Sequence, residues 1–590
     1  MERCWRDFSQ FGLNLEVEVD NMGNIWKILR ITVLTSTLLA FTILVLFPTI
    51  FLASFPLIYM DDIRYEVFEN PLVGDENLKL IVEVLAFSFK LSALTVLTDI
   101  LLGIPLAFML ARGNFPGKLI LETFVTLPLV IPTSGFGFAS LLTWTTVSGV
   151  GKWLNLNGGV LSITSSLPFI DVPVVLFMVH VTLTLPYVVR TIQAKLVEVE
   201  TVYEDASRTL GANPLTTFRK ILIPELLPAV FSGSVLAFAR SLGETGATII
   251  VAGVRLTAAV AVVKWEFEFK LGAAAFLGLI LVIITWLVIL PAELLLMGIK
   301  GGVVKPPSLI SGTALEKFLI KFEAKFSKRG LKNILYGVCV ALLLILIIIP
   351  IVVVVESVIH YMFKDPYTGK VEGSVVYQLF GPANYFPVIL RSTVVSFLSA
   401  FTSTYISVFL SIPLVYIIDK YRFGRILRAI LKIPLVVPSS ALGLSILLLW
   451  GPKFLGLLTP GIWLIILTQI VFSVPVIVET TMAVYEGSNI QLYEGAARTL
   501  GANPYHVVEK ISLPILKEGI ITGAVLSFTH SLGETGAAMI VMGADIPISV
   551  LVVNMVESLA IPAALFTSTY LIVISTIMVV IFRIASRRRT

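Results

Sequence analysis

The sequence is short of the residues that soluble chemistry relies on. Charged residues make up 14% of its 590 positions, against about 25% in an ordinary soluble domain. The polar surface that several soluble domains would need is missing, which excludes a soluble enzyme, a disordered scaffold and a fibrous protein. Histidine occurs four times and cysteine twice. Cys4 and Cys339 lie far apart, Cys339 sits in an apolar run, and no CxxC pair or zinc spacing exists. A disulfide framework is excluded, and a His-built metal site is not expected. The net charge of +5 is too mild to suggest nucleic acid. A phosphate loop is also missing. Gly151-Lys152 is followed by Trp153, and Thr146 stands where the first glycine belongs, so ATP and Mg are not expected to bind this chain.

What the chain has in plenty is apolar length. Hydrophobic residues reach 57% and the mean hydropathy is +0.95. Twelve apolar runs lie near 31–58, 84–111, 119–145, 172–192, 226–253, 271–299, 333–358, 388–418, 427–450, 461–480, 518–543 and 562–582. A bilayer core of about 30 Å takes about 20 helical residues. These runs do not alternate, and lipid permits only helices or closed barrels. The expectation is an all-α integral membrane protein with about twelve transmembrane helices. The run near 84–111 holds Lys90 and Asp99 and is expected to face protein rather than lipid. Arg3, Arg6, Asp7, Glu16 and Glu18 precede the first run, unlike a signal peptide.

Lys and Arg gather in three places: 300–332, 419–432 and the C-terminus, with Arg583, Arg587, Arg588 and Arg589. Loop 59–80 is acid-rich. Basic loops stay on the cytoplasmic side, so both termini are expected there. Stretch 300–332, with Pro306, Pro307 and a charged amphipathic piece over 315–326, reads as a cytoplasmic linker. It separates a first six-helix repeat, 1–299, from a second, 333–590.

The halves repeat each other. Arg208-Thr-Leu-Gly-Ala-Asn-Pro214 recurs as Arg498 to Pro504, and Ser241-Leu-Gly-Glu-Thr-Gly-Ala247 recurs as Ser531 to Ala537, both 290 residues on. Pro128, Pro132, Gly137 and Trp144 match Pro434, Pro438, Gly443 and Trp450 at an offset of 306. The first half therefore carries 16 extra residues, mostly in an outer loop near 146–171. Six helices per half keep both halves in one orientation, so the axis is a pseudo-two-fold along the membrane normal.

The segments Glu204 to Pro224 and Glu494 to Pro514 each read as two short helices around a glycine. Gly211 and Gly501 suit a left-handed helix C′. Asn213 and Asn503 suit N-caps, with Pro214 and Pro504 opening the next helix. These segments resemble the EAA signature of permease subunits in binding-protein-dependent ABC importers. Glu204, Ala206, Gly211 and Pro224 match it in the first copy, and Glu494, Ala496, Gly501 and Pro514 in the second. Asp205, Gly495 and Ile223 depart from it. The resemblance implies a coupling loop that docks on a separate ATPase, with Glu204 and Glu494 anchoring that contact and Gly211 and Gly501 setting the turn. It further implies two copies of a cytoplasmic ABC ATPase, an extracytoplasmic substrate-binding protein, a prokaryotic cell membrane and no enzymatic activity in this chain.

Glu244 and Glu534 lie at membrane depth, flanked by Ser241, Gly243 and Gly246, and by Ser531, Gly533 and Gly536. Intramembrane carboxylates are costly and mark functional sites. Two roles stand open: lining the pathway, or hydrogen bonding between helices at the interface of the halves. This motif resembles that of molybdate, tungstate and sulfate permeases, with Thr245 and Thr535 replacing a Phe. The fused two-half architecture resembles ferric-iron and thiamine permeases. An oxyanion, ferric iron and thiamine thus remain as substrates, and a secondary transporter with parallel repeats, which would not need the EAA loops, is the alternative class. Pro128, Pro132, Pro434 and Pro438 are expected to break the third span of each half.

Overall fold

The computed structural model describes residues 24–58, 60–70, 73–298, 323 and 329–587. The linker expected at 300–332, apart from Glu323 and 329–332, lies outside them, as do the charged residues before 20, Cys4, Arg588 and Arg589. Among the described residues there is no strand, only one isolated bridge between Ser166 and Pro173. The first half runs through α1 (Ile31–Phe55), α2 (Gly74–Arg112), α3 (Lys118–Leu129), α4 (Thr133–Thr145) and α5 (Val174–Glu198). It continues with α6 (Thr201–Thr209), α7 (Pro214–Gly243), α8 (Gly246–Val251), α9 (Ala258–Phe267) and α10 (Leu271–Ile289). The second half repeats the order: α11 (Asn333–His360), α12 (Tyr385–Lys420), α13 (Gly424–Leu431), α14 (Ser439–Trp450) and α15 (Ile462–Gly487). Then come α16 (Ile490–Thr499), α17 (Pro504–Gly533), α18 (Gly536–Val541), α19 (Ile548–Glu557) and α20 (Ile561–Met578).

Ten of these helices are long and apolar enough to cross a membrane. The remaining two of the twelve runs are broken. α3 and α4 meet at 106°, where Pro128 opens a 3₁₀ turn and Pro132 is extended at ψ 128° ahead of α4. Pro438 does the same before α14, at ψ 133°. Proline lacks the amide that would continue the helix and pushes its predecessor out of the helical region. The fifth run differs from expectation. α7 starts at Pro214, well before 226, and stops at Gly243, because Glu244 is extended at ψ 124°. α17 stops in the same way at Gly533.

Within each half, α5 packs against α2 and α7, and α15 against α12 and α17. Between halves the packing is reciprocal. α1 lies on α12 and α14, and α11 lies on α2 and α4; α10 covers α14, and α20 covers α4. The broken helix of each half is therefore wrapped by helices of the other. One continuous core runs through Phe41, Phe136 and Trp265 of the first half and Val353, Leu442 and Leu565 of the second. Asp99 is fully buried against protein and accepts a hydrogen bond from Thr184 at 2.5 Å. Lys90 departs from the expectation and is exposed, where a long side chain can keep its ammonium in polar surroundings.

Candidate functional site

Two sites come out of the repeated motifs. The first is the pair of helix-turn segments. Just past the ends of α6 and α16 stand Gly211 at φ 86° and Gly501 at φ 85°, the left-handed conformation that a side chain disfavours. Asn213 and Asn503 follow as extended N-caps, with Pro214 and Pro504 at the first helical position. The Asn503 side chain accepts from the His506 amide at 2.8 Å, whereas Asn213 makes no such cap bond. Ala206, Gly211, Pro214, Ala496, Gly501, Asn503 and Pro504 are exposed, and Asn213 is half-buried.

The two glutamates differ from what the resemblance implies. Both point inward, with Glu204 5% and Glu494 7% exposed. Glu204 accepts from Arg112 Nε at 3.0 Å, and Arg112 also donates to the Val199 carbonyl at 2.6 Å. Arg208 stands 3.6 Å from the same carboxylate. Glu494 is paired with Lys420 at 2.9 Å and accepts from Ser512 at 2.7 Å. Each glutamate thus ties its short helix to the end of α2 or α12. The surface that projects carries exposed Tyr203 and Leu210 in one copy and Tyr493 and Leu500 in the other, the leucines 89% and 87% exposed, beside the exposed Arg208 and Arg498. The repeat signalled these residues, for they recur at the same 290-residue offset, but no rule of spacing singled them out. Glu323, from the stretch expected as the linker, reaches the first copy. It accepts from Thr216 at 2.6 Å and is ion-paired with Arg219. Burial pushes its carboxyl up, but hydrogen bonds from Arg219 and Thr216 hold it below the ordinary carboxylate range.

The second site is where the two Ser-Leu-Gly-Glu-Thr-Gly-Ala motifs meet. A Cβ on Gly246 would lie 2.7 Å from Thr535 Cβ, and one on Gly536 2.7 Å from Thr245 Cβ. The copies therefore touch each other across the pseudo-two-fold. Glu244 is buried, ion-paired with Arg240, and accepts from the Ala247 amide at 3.0 Å. Glu534 accepts from the Ala537 amide at 3.1 Å and lies 3.5 Å from His530 Nε2. Both carboxylates cap the short helix that follows them. Ser241 is bonded to His180 at 2.8 Å, and His180 in turn to Thr248 at 3.0 Å. Gln469 holds the second copy by donating to the Ser531 carbonyl at 3.1 Å.

A cavity of about 40 Å³ opens between the halves, lined by Pro128, Thr133, Tyr187, Arg240, His530 and Glu534 among others. Of the residues expected at the pathway, Gly533 and Glu534 line it. Ser241, Gly243, Glu244, Gly246, Ser531 and Gly536 are packed outside its lining. Arg240 and His530 were missed. Their signal was a difference: they occupy one repeat position, just before two otherwise identical motifs. A larger cavity of about 390 Å³ lies between the first half's extra loop and the end of α11, where Lys152 meets Glu356 at 3.2 Å and His360 at 2.8 Å.

A family described as the binding-protein-dependent transport system inner membrane component matches residues 103–299 and again 383–590. Among individual proteins, the molybdenum transport system permease protein ModB of Mycobacterium tuberculosis is 39% identical over 173 residues, 29% of this chain and 62% of ModB. The sulfate transport system permease protein CysT of Escherichia coli is 38% identical over 154 residues, 26% of this chain and 52% of CysT. The probable sulfate transport system permease protein cysT of Nephroselmis olivacea is 37% identical over 151 residues, 26% of this chain and 50% of that protein. The chain thus spans about half the length of the curated relatives it matches.

Proposed function

The chain belongs to the family of binding-protein-dependent transport system inner membrane components, with the domain present twice in one polypeptide, and on that premise we propose that it forms the whole translocation pathway of an ATP-driven importer for a tetrahedral oxyanion of the sulfate or molybdate kind. The observation that carries the reading is the duplicated coupling segment: a rigid turn with an exposed Tyr and Leu, present in both halves. Two such segments suit two ATPase subunits, one under each half. The names of the relatives support an oxyanion over ferric iron or thiamine. An extracytoplasmic binding protein delivers the solute on the opposite face. By the distribution of Lys and Arg, both termini lie on the cytoplasmic side of a prokaryotic cell membrane.

The geometry supplies a transmission. α7 is 30 residues long, about 45 Å at 1.5 Å per residue. It starts at the coupling turn and ends beside Glu244. α17 does the same for the second half. A π-helical turn interrupts both at the same place, Phe218–Leu222 and Val508–Ser512, where the rod is locally widened. The Glu204–Arg112 and Glu494–Lys420 ties carry any displacement of the coupling segment into α2 and α12 as well. Closure of the ATPase pair would thus move the breaks at Glu244 and Glu534 through continuous helices rather than through loops.

The test is co-purification with the ATPase subunits, followed by oxyanion uptake in proteoliposomes that hold the binding protein. Gly211→Pro or Gly501→Pro cannot adopt the observed φ and is expected to leave insertion intact while separating ATP hydrolysis from uptake. Unchanged coupled uptake in both variants would overturn the coupling role.

A further inference from the structure

Resting on the reading just given, we propose that Arg240 is the anion-selecting group of the pathway: it takes the oxyanion when the pathway opens, and Glu244 stands in for that oxyanion while it is shut. Arg240 lies at the end of α7 and lines the cavity shared by both halves, opposite His530 and Glu534 of the second half and beside Tyr187 of α5. Of the charged or titratable side chains that line or adjoin this cavity, Arg240, Glu244, His530, Glu534 and Tyr187, only arginine is a permanent cation. Its fork matches two oxygens of a carboxylate and two of a tetrahedral oxyanion equally well. Glu244, which it holds now, is not left bare when Arg240 turns away, because the carboxylate also accepts from the Ala247 amide at 3.0 Å. Glu534 and the Ala537 amide form the same link in the second half. At about 40 Å³ the cavity has room for roughly one or two waters, too little for a tetrahedral oxyanion beside Arg240, and the Glu244 carboxylate supplies the negative charge there.

The repeat adds an independent argument. Arg240 and His530 share one repeat position. The first half contributes a permanent charge there, and the second a smaller donor. One arginine facing one histidine can approach a single anion from two sides, and two arginines would repel across the narrow axis.

The test uses the full chain with its ATPase and binding protein in proteoliposomes, with labelled molybdate and sulfate as the probes. Arg240→Glu combined with Glu244→Arg keeps the ion pair but moves the cation one turn away from the cavity. The exchange also removes the acceptor that Glu244 offers the Ala247 amide, so the neutral pair described below, in which the glutamine at position 244 keeps that acceptor, controls for lost capping. The expected result is normal insertion and co-purification with the ATPase, with uptake lowered about ten-fold or more, the loss that follows removal of one charge-assisted hydrogen bond. Arg240→Gln with Glu244→Gln removes both charges together and is expected to lose uptake to the same degree. Arg240→Lys keeps the charge without the fork and is expected to fall between these variants and the native protein. Uptake within about two-fold of native in the neutral pair or in the exchanged pair would overturn the proposal while leaving the importer reading in place. A native protein that moves neither anion would overturn that underlying reading, and this one with it.

Discussion

The two halves solve the same problem with different side chains. At the helix-turn segments, Arg112 holds Glu204 in the first half, and Lys420 holds Glu494 in the second. Where α13 meets α15, Arg428 grips Glu479 at 2.9 Å and Glu486 at 2.6 Å. At the matching position of the first half the charges are exchanged: Arg190 of α5 reaches back to the Glu122 carbonyl of α3 at 3.0 Å. At the axis, Arg240 faces His530. What stays fixed is the backbone: the left-handed glycines, the Asn-Pro starts, the proline breaks and the extended glutamates. The duplicated fold is held by conformation at its turns, and the polar contacts around them are free to change partner as long as each buried charge keeps one.

That comparison can be broken first at the axis, where the halves are most alike. Gly246→Val and Gly536→Val each drive a new side chain into the opposing threonine, whose Cβ would lie 2.7 Å from the added Cβ in both cases. Overpacking of this kind costs about 1–3 kcal/mol or more. The expected outcome is an equal and large drop in thermal midpoint for the two variants in detergent. A drop confined to one of them would show that the motifs do not meet symmetrically.

The next effect separates the halves. Glu204→Ala leaves the mostly buried Arg112 without its carboxylate, at a cost of about 2–3 kcal/mol. Glu494→Ala costs less, because Lys420 keeps Asp419 at 2.9 Å. Removing Arg112 together with Glu204 is expected to restore part of the loss, measured as denaturation midpoints and as ATP hydrolysis per solute taken up. Equal losses in both halves would contradict this ranking. A finer test is capping. Asn503→Ala is expected to cost about 1 kcal/mol, and Asn213→Ala a few tenths at most, since only Asn503 makes the cap bond. The protection of the following amides from hydrogen exchange reads both.

The smallest effect concerns the linker contact, which the second half lacks among the described residues. Glu323 is held below the ordinary carboxylate value of 4.5. Its contribution is therefore complete above that value and is lost as the pH falls through the lowered one. Glu323→Gln should mimic the low-pH state at neutral pH. Hydrogen exchange of the 215–222 amides, corrected for the intrinsic pH dependence of exchange, checks it: their protection should fall on acidification in the native protein and be low and flat in the variant.

Much of this was legible because it is written locally. The repeat, the helix-turn with its glycine and Asn-Pro start, and the proline breaks all depend on residues within a few positions of one another, where backbone sterics act. What was hidden depends on distance. Glu204 turns inward because its partner, Arg112, comes from α2, 92 residues earlier, and no pattern near Glu204 announces that. The early start of α7 was hidden because the polar residues Arg219, Lys220 and Glu225 interrupt the apolar run, although the helix continues through them. Arg240 was passed over because the eye follows what two copies share, and its meaning lies in what they do not.

The reciprocal wrapping of the broken helices has a consequence for how such a molecule can diverge. Two identical subunits related by a true two-fold must present the same side chain from both sides of the axis, so an arginine there would always confront its twin. Joining the halves in one chain removes that obligation while keeping them in fixed one-to-one supply. Each position near the axis then becomes two positions, free to specialise separately. The interlocked helices allow the specialisation to persist, since neither half can leave its partner and pair with another copy of itself. Symmetry survives in the scaffold, and the cavity at the axis has two walls that are no longer alike.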